Sequence, residues 1–175
     1  MIINNELLKR ISIRGRVAFA LFLLEQIIAK NDLFYLKMMI KYIKEFTESR
    51  QLDEWHYKIE KLTPEYILNS EYYELKNIIN ELDFKNLKQC YYNLPEDVLM
   101  LVEDTIWIGI SNLYGDTGEY SKGSLFYLRR VLLHSEKYNL EYPVFHNRFS
   151  FFEGDGWGAP FNYDIEKKTF IEKNR

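Results

Sequence analysis

Two side chains near residue 58 have the types and spacing of an acid–base pair. His56 and Glu60 stand four residues apart, which brings them together on one face of a helix and would suit proton transfer or two ligands to a metal. A zinc site needs three or four ligands, and neither His134 nor His146 has a second ligand at a recognisable spacing. The pattern therefore predicts a surface pair, with no metal and no cofactor.

A glycine-rich segment, GDTGEYSKG at residues 115–123, contains the residue types of a phosphate-binding loop, including Lys122. Its spacing differs from Gly-x4-Gly-Lys-Ser/Thr, and the apolar pattern places it after a helix, whereas a phosphate loop follows a strand. We expect a helix connection in which glycine adopts left-handed backbone conformations.

The segment FFEGDGWGAPF, residues 151–161, offers two acids and a tryptophan. Glu153 or Asp155, acting with His146, would define a small enzyme, and this alternative stays open. A calcium loop places more oxygen donors before its glycine, and a glycosidase pair needs a cleft. Glycines on both sides of Trp157 favour a sharply turning strap that inserts one large side chain into a neighbouring groove.

The elements that would position these stretches are helices. Apolar residues recur at helical spacing in four ranges, 10–30, 33–47, 71–82 and 95–115. Capping or proline signals open further helices near residues 53, 64 and 121, and we expect one more helix over residues 84–94. We predict one mainly α domain over residues 1–175, a bundle of about six to eight helices. Residues 142–175 would form the strap and, from the alternation of Phe161, Tyr163 and Ile165, a small C-terminal β-hairpin.

Composition and charge restrict the function classes. Apolar residues make up 47% of the sequence, enough for a proper core, and the single cysteine, Cys90, excludes an internal disulfide. No apolar run approaches the length of a membrane span, and the first ten residues differ from a signal peptide, so we expect a cytoplasmic protein without a membrane partner. Residues 48–119 hold fifteen acidic and six basic groups, which disfavours nucleic acid and favours a basic partner surface.

The helix predicted from Pro95 carries the most informative surface. A step of about 100° per residue places one set of side chains on a common face: Glu96, Met100, Glu103, Asp104, Trp107 and Ser111. A large aromatic with an acidic rim is typical of a partner-binding patch, although another helix covering Trp107 is the alternative. A second acidic strip, Glu71, Glu74 and Glu81, recurs at helical spacing and would otherwise be a solvated face.

Several short motifs carry a family resemblance. They are RVAFALFLLE (16–25), Asp53-Glu54-Trp55, PEYIL (64–68), Asn112-Leu113-Tyr114 and Gly156-Trp157-Gly158. With these motifs the sequence resembles the helical immunity proteins that bacteria encode beside the toxins of contact-dependent inhibition and other polymorphic toxin systems. The resemblance implies a non-enzymatic protein that binds one cognate toxin, in many systems a nuclease, and blocks its active site. A helical adaptor or regulator of another cellular partner is the competing interpretation.

Overall fold

The computed structural model describes residues 5–143 and 149–172 of the protein. Ten α-helices lie within these residues: α1 Asn5–Lys9, α2 Ile13–Lys30, α3 Lys37–Glu48, α4 Leu52–Ile59, α5 Pro64–Asn69, α6 Tyr72–Leu75, α7 Glu81–Asn93, α8 Glu96–Ile110, α9 Lys122–Ser135 and α10 Tyr163–Glu172. Single turns of 3-10 helix lie at Phe34–Leu36, Glu60–Leu62, Glu136–Tyr138 and Gly154–Gly156. The predicted mainly α bundle is confirmed, and several very short helices raise the number above the six to eight expected.

Helix α2 is the central element of the bundle. The Ser12 hydroxyl accepts a hydrogen bond from the Gly15 backbone N–H at 3.3 Å and so caps its first turn. Side chains from Ile13 to Leu24 are buried all round the helix, with α3, α8 and α9 packed against it. One apolar cluster extends from Leu8 in α1 to Phe170 in α10. In the described part of the chain, every helix falls short of the length and apolar character that crossing a membrane requires.

The helix predicted over residues 71–82 is divided in two. Helix α6 ends after a single turn, and α7 begins only at Glu81. The Asn80 side-chain oxygen accepts a hydrogen bond from the Asp83 backbone N–H at 2.9 Å, which caps the start of α7. As a result Leu82, which lies on the predicted apolar stripe, is 68% exposed. The cap, more than the periodicity of apolar residues, decides where this helix begins.

The predicted C-terminal β-hairpin is wrong, because the residues that were expected to form it make α10. The Asn162 side-chain oxygen accepts a hydrogen bond from the Ile165 backbone N–H at 3.0 Å and caps this helix. Tyr163, Glu166 and Phe170 are buried, at helical intervals of three and four, whereas Ile165 is 62% exposed. Three alternating apolar residues are too few to distinguish a strand from a capped helix.

Residues 149–161 lie across the first turn of α2, and we call them the C-terminal strap. Three backbone hydrogen bonds hold the strap to residues 10–14: Ser12 N–H to the Phe149 carbonyl (2.7 Å), Phe151 N–H to the Arg10 carbonyl (2.8 Å) and Arg14 N–H to the Trp157 carbonyl (3.1 Å). The half-buried Trp157 ring lies 6.4 Å from the Phe46 ring and packs against the core. Gly156 and Gly158 have φ of +90° and +78°, which glycine adopts without strain.

Two arginines are buried in α2 and have no carboxylate partner among the described residues. The Arg16 guanidinium donates to the carbonyls of Lys9, Tyr120 and Ser121 and to the Ser124 hydroxyl. The Arg14 guanidinium donates to the carbonyls of Phe46 and Ser49. Its positive charge there interacts favourably with the negative, C-terminal end of the α3 dipole. Burial lowers the pKa of Arg16 to about 9 and that of Arg14 to about 10. Both side chains therefore fasten chain segments to α2.

Candidate protein-binding surface

The outer face of α8 carries most of the residues that the sequence predicts for partner binding. Met100 and Trp107 are 37% and 36% exposed, Glu96 is exposed, and Glu103 is half-buried. Pro95 stands at the N-cap of this helix, and the apolar side chains of the opposite face pack on α2. The amphipathic pattern of α8 thus leaves a tryptophan and a methionine at the surface beside carboxylates.

Helix α9 contributes two aromatic side chains to the same surface. Trp107 and Tyr127 stack with ring centroids 5.8 Å apart and an interplanar angle of 21°. Phe126 meets Tyr127 edge-on at 5.2 Å and is itself 53% exposed. We call Trp107, Phe126 and Tyr127 the aromatic patch. Its α9 half is not predictable from the sequence, because Phe126 and Tyr127 lie within an apolar run, LFYL, that is typical of a buried helix face.

Glu103 is the carboxylate that borders the aromatic patch. It accepts a hydrogen bond from the Trp107 indole N–H at 2.9 Å and another from the Glu65 backbone N–H. Burial raises the pKa of Glu103, and the nearby carboxylates of Glu65 and Asp104 raise it further, while the two hydrogen bonds act in the opposite direction. No lysine, arginine or histidine pairs with Glu103 in the described part of the chain.

Asp104 lies beneath this surface, so the helical-wheel prediction that it shares the outer face is wrong. Its side chain is 1% exposed and sits between α8 and α9. The Arg130 Nε lies 3.1 Å and the His134 Nε2 lies 3.5 Å from its carboxylate oxygens. Burial raises the pKa of Asp104 against the opposing effect of Arg130 and His134. Asp104 therefore joins the two helices, and Arg130 also lies over the Phe126 ring, 5.7 Å from its centroid.

The second acidic strip has a local structural role. Glu71 and Glu74 are exposed and form a capping box on α6, in which the Glu71 backbone N–H donates to Glu74 Oε1 at 3.1 Å. Lys88 Nζ approaches Glu71 Oε1 at 3.9 Å. Glu81, the third member, pairs with Lys85 at 2.6 Å on α7. The predicted role of Glu71 and Glu74 in partner binding stays a prediction.

The acid–base pair at His56 gains a third member. The Tyr114 hydroxyl lies 3.0 Å from His56 Nδ1, and Glu60 Oε2 lies 3.4 Å from His56 Nε2. Tyr114 is 76% exposed, so this chain of polar groups lies at the surface. In residues 5–143 and 149–172 no group of three or more histidine, cysteine, aspartate or glutamate side chains is placed to hold a metal.

The two glycine-rich segments meet each other. The Thr117 hydroxyl donates to the Asp155 carbonyl at 2.7 Å, and this bond links the 115–123 connection to the C-terminal strap. Glu153 and Asp155, the acids of the enzyme alternative, are both exposed. Their proposed partner His146 lies outside the described residues.

A cavity of about 530 Å³ lies elsewhere, between α2, α3 and α10. Its lining is charged: Glu25, Lys37, Lys41, Lys44, Glu45, Glu48 and Asp164, with Ile40. Lys44 pairs with Glu25 at 3.1 Å and with Asp164 at 2.6 Å, and the Tyr163 hydroxyl donates to Glu25 at 3.0 Å. These groups fasten α10 to the bundle.

Comparison of the chain with family models, with curated proteins and with solved structures finds no match.

Proposed function

We propose that the protein is a cytoplasmic immunity protein that binds the toxin domain of a bacterial competition system and so neutralises it. The observation that carries this proposal is the aromatic patch with Glu103 at its border. Tryptophan and phenylalanine side chains exposed together on a soluble fold mark interaction sites, and tryptophan is enriched among residues that dominate binding energy. The resemblance of the sequence to immunity proteins indicates that the partner is a toxin domain.

The rigidity of the surface supports a role in recognition. Helices α8 and α9 pack closely along their length, and the buried Asp104 joins them through Arg130 and His134. Trp107 is already held by its stack on Tyr127 and by its bond to Glu103. Side chains that are ordered before binding lose less conformational entropy in the complex, which favours tight association.

Charge gives the proposal a second test. Glu65, Glu96 and Glu103 supply acidic groups around Met100 and Trp107. Nucleases bind their substrates through basic grooves, because phosphate contacts dominate the affinity for nucleic acid. We propose that the acidic rim faces such a groove. Association with the toxin should then weaken as salt rises, and a salt-insensitive affinity would count against an electrostatic contribution.

The direct test is co-expression with the toxin encoded by the gene immediately upstream. The protein should protect cells from that toxin, and Trp107→Ala combined with Glu103→Ala should abolish protection. Trp107→Ala alone should weaken binding by about 30-fold, corresponding to about 2 kcal/mol for a residue that dominates an interface. Tyr92→Ala is the matched control, because Tyr92 on α7 is 82% exposed and lies outside the patch.

The outcomes separate the parts of the proposal. Protection by the Tyr92 variant but not by the double variant supports the α8–α9 surface as the toxin contact. Protection that persists in the double variant, with unchanged circular dichroism, removes this surface from the function. An upstream gene product that is harmless to cells contradicts the toxin assignment itself.

A further inference from the structure

We propose that Glu103 and Trp107 form a receptor for one arginine side chain on the surface of the protein partner. The inference rests on the proposed function in one respect, namely that this face of α8 and α9 meets another protein. It adds the chemistry of the central contact: a guanidinium group that bonds to the Glu103 carboxylate and stacks on the aromatic patch.

The first argument is the unfilled capacity of Glu103. A carboxylate accepts about four hydrogen bonds, and Glu103 receives two, from the Trp107 indole and from the Glu65 backbone. A carboxylate that is partly withdrawn from water, as the half-buried Glu103 is, is stabilised by pairing with a cation. Within residues 5–143 and 149–172 none pairs with Glu103, and the Glu65 carboxylate beside it adds further negative charge. The site is therefore charged, oriented and open to a cation from outside.

The second argument is the aromatic surface beside that carboxylate. Indole binds cations more strongly than the other aromatic rings. Trp107 remains 36% exposed although it stacks on Tyr127. Arg130, on the neighbouring helix α9, is committed to Asp104 and to the Phe126 ring. An incoming cation would meet Trp107 and Glu103 together without displacing a bonded side chain.

The geometry favours arginine over lysine. A guanidinium group is planar, donates two parallel hydrogen bonds to one carboxylate and stacks flat on an aromatic ring. An ammonium group is a compact point charge that keeps its water more tightly and uses neither the fork nor the flat face. Inside this molecule Arg130 likewise contacts a carboxylate and a ring, since its Nε bonds to Asp104 and its guanidinium lies over Phe126.

The experiment uses the indole N–H signals of the ¹⁵N-labelled full chain, titrated with an octa-arginine peptide and, separately, with an octa-lysine peptide. The other two tryptophans provide internal references, because the Trp55 indole donates to the Tyr42 carbonyl at 2.8 Å in the core and Trp157 lies in the C-terminal strap. Trp107→Phe assigns the third signal. We expect the Trp107 signal to shift and saturate with octa-arginine while the other two signals stay in place. Octa-lysine should require at least fivefold higher concentration.

Glu103→Gln should weaken octa-arginine binding at least tenfold, because it removes the charge and keeps the shape. Glu81→Gln is the control of equal charge change: Glu81 is exposed on α7 and pairs with its neighbour Lys85, so binding should stay within twofold. No movement of the Trp107 signal, equal affinity for the two peptides, or indifference to Glu103→Gln each overturns the receptor. These measurements involve no toxin, so a failed receptor leaves the co-expression result intact, and failed protection leaves the peptide result intact.

Discussion

Gly158→Ala tests whether the C-terminal strap closes the fold. Gly158 has φ of +78°, and a Cβ built there would lie 2.9 Å from Ser12 Cβ and closer still to the Ser12 hydroxyl. That hydroxyl caps α2 through the Gly15 N–H. An alanine at this position must therefore strain its own backbone, push the strap away from α2, or displace the cap.

The expected loss of stability follows from these three effects. A non-glycine residue in left-handed backbone costs about 1 kcal/mol. Loss of a serine N-cap costs about 1 kcal/mol, and an overpacked contact costs about 1–3 kcal/mol. Because the strap and Ser12 will share the adjustment, we expect Gly158→Ala to lower the free energy of unfolding by about 4 kcal/mol. Gly154→Ala is the matched control, since φ there is +57° with open space around the position, and should cost about 1 kcal/mol.

Urea unfolding followed by circular dichroism measures the free energy of unfolding of both variants. The comparison holds provided that the dependence of this free energy on urea concentration is the same in both. A second arm places Gly158→Ala in a Ser12→Gly background, where neither the Ser12 hydroxyl nor its Cβ opposes the new methyl group. The cost of the alanine should then fall to about that of the Gly154 control, because the two sites are in direct contact and their effects are coupled. If Gly158→Ala and Gly154→Ala differ by less than about 1 kcal/mol, close packing of Gly158 on Ser12 does not hold the strap against α2.

Three further outcomes follow from buried charges. Arg16→Met should lower the free energy of unfolding by about 3 kcal/mol or more, measured by urea unfolding, because four acceptors lose a charged donor; an unchanged midpoint would contradict this. Arg130→Ala should cost about 2 kcal/mol at pH 7 by leaving the buried Asp104 short of its cation, and Asp104→Asn should cost less, since the charge that then loses its partner is that of the partly exposed Arg130. The pKa of Glu103 is raised in the folded protein, so its contribution to stability is largest at low pH and is lost as pH rises through that pKa. Glu103→Gln should remove this part of the pH dependence. The thermal midpoint of the variant should therefore fall less between pH 4 and pH 7 than that of the unchanged protein.

Much of the helical framework is predictable from local patterns. Pro95 and the apolar stripe behind it are enough to predict α8, and Pro64 marks the first turn of α5, where the Thr63 hydroxyl also caps the helix. The outward positions of Glu103 and Trp107 also follow from helical periodicity. These features depend on residues within a few positions of each other, so a single sequence contains them.

The remainder depends on contacts between distant segments. Asp104 falls on the outer face of a helical wheel, but α9 crosses at that point and brings Arg130 and His134 over it. Neither the stack of Tyr127 on Trp107 nor the burial of Arg16 against residues 120–124 leaves a local signal. The α10 error has a different origin, because the Asn162 cap is a local signal that a short apolar alternation conceals.

The pairing of the C-terminal strap with residues 10–14 has a consequence for biosynthesis. Ser12 waits for its backbone partner, Phe149, until 137 further residues have been added to the chain. At ordinary rates of translation that delay is on the order of ten seconds. During this interval the nascent polypeptide lacks the segment that covers the first turn of α2, so this turn reaches its final packing only late in synthesis or after it.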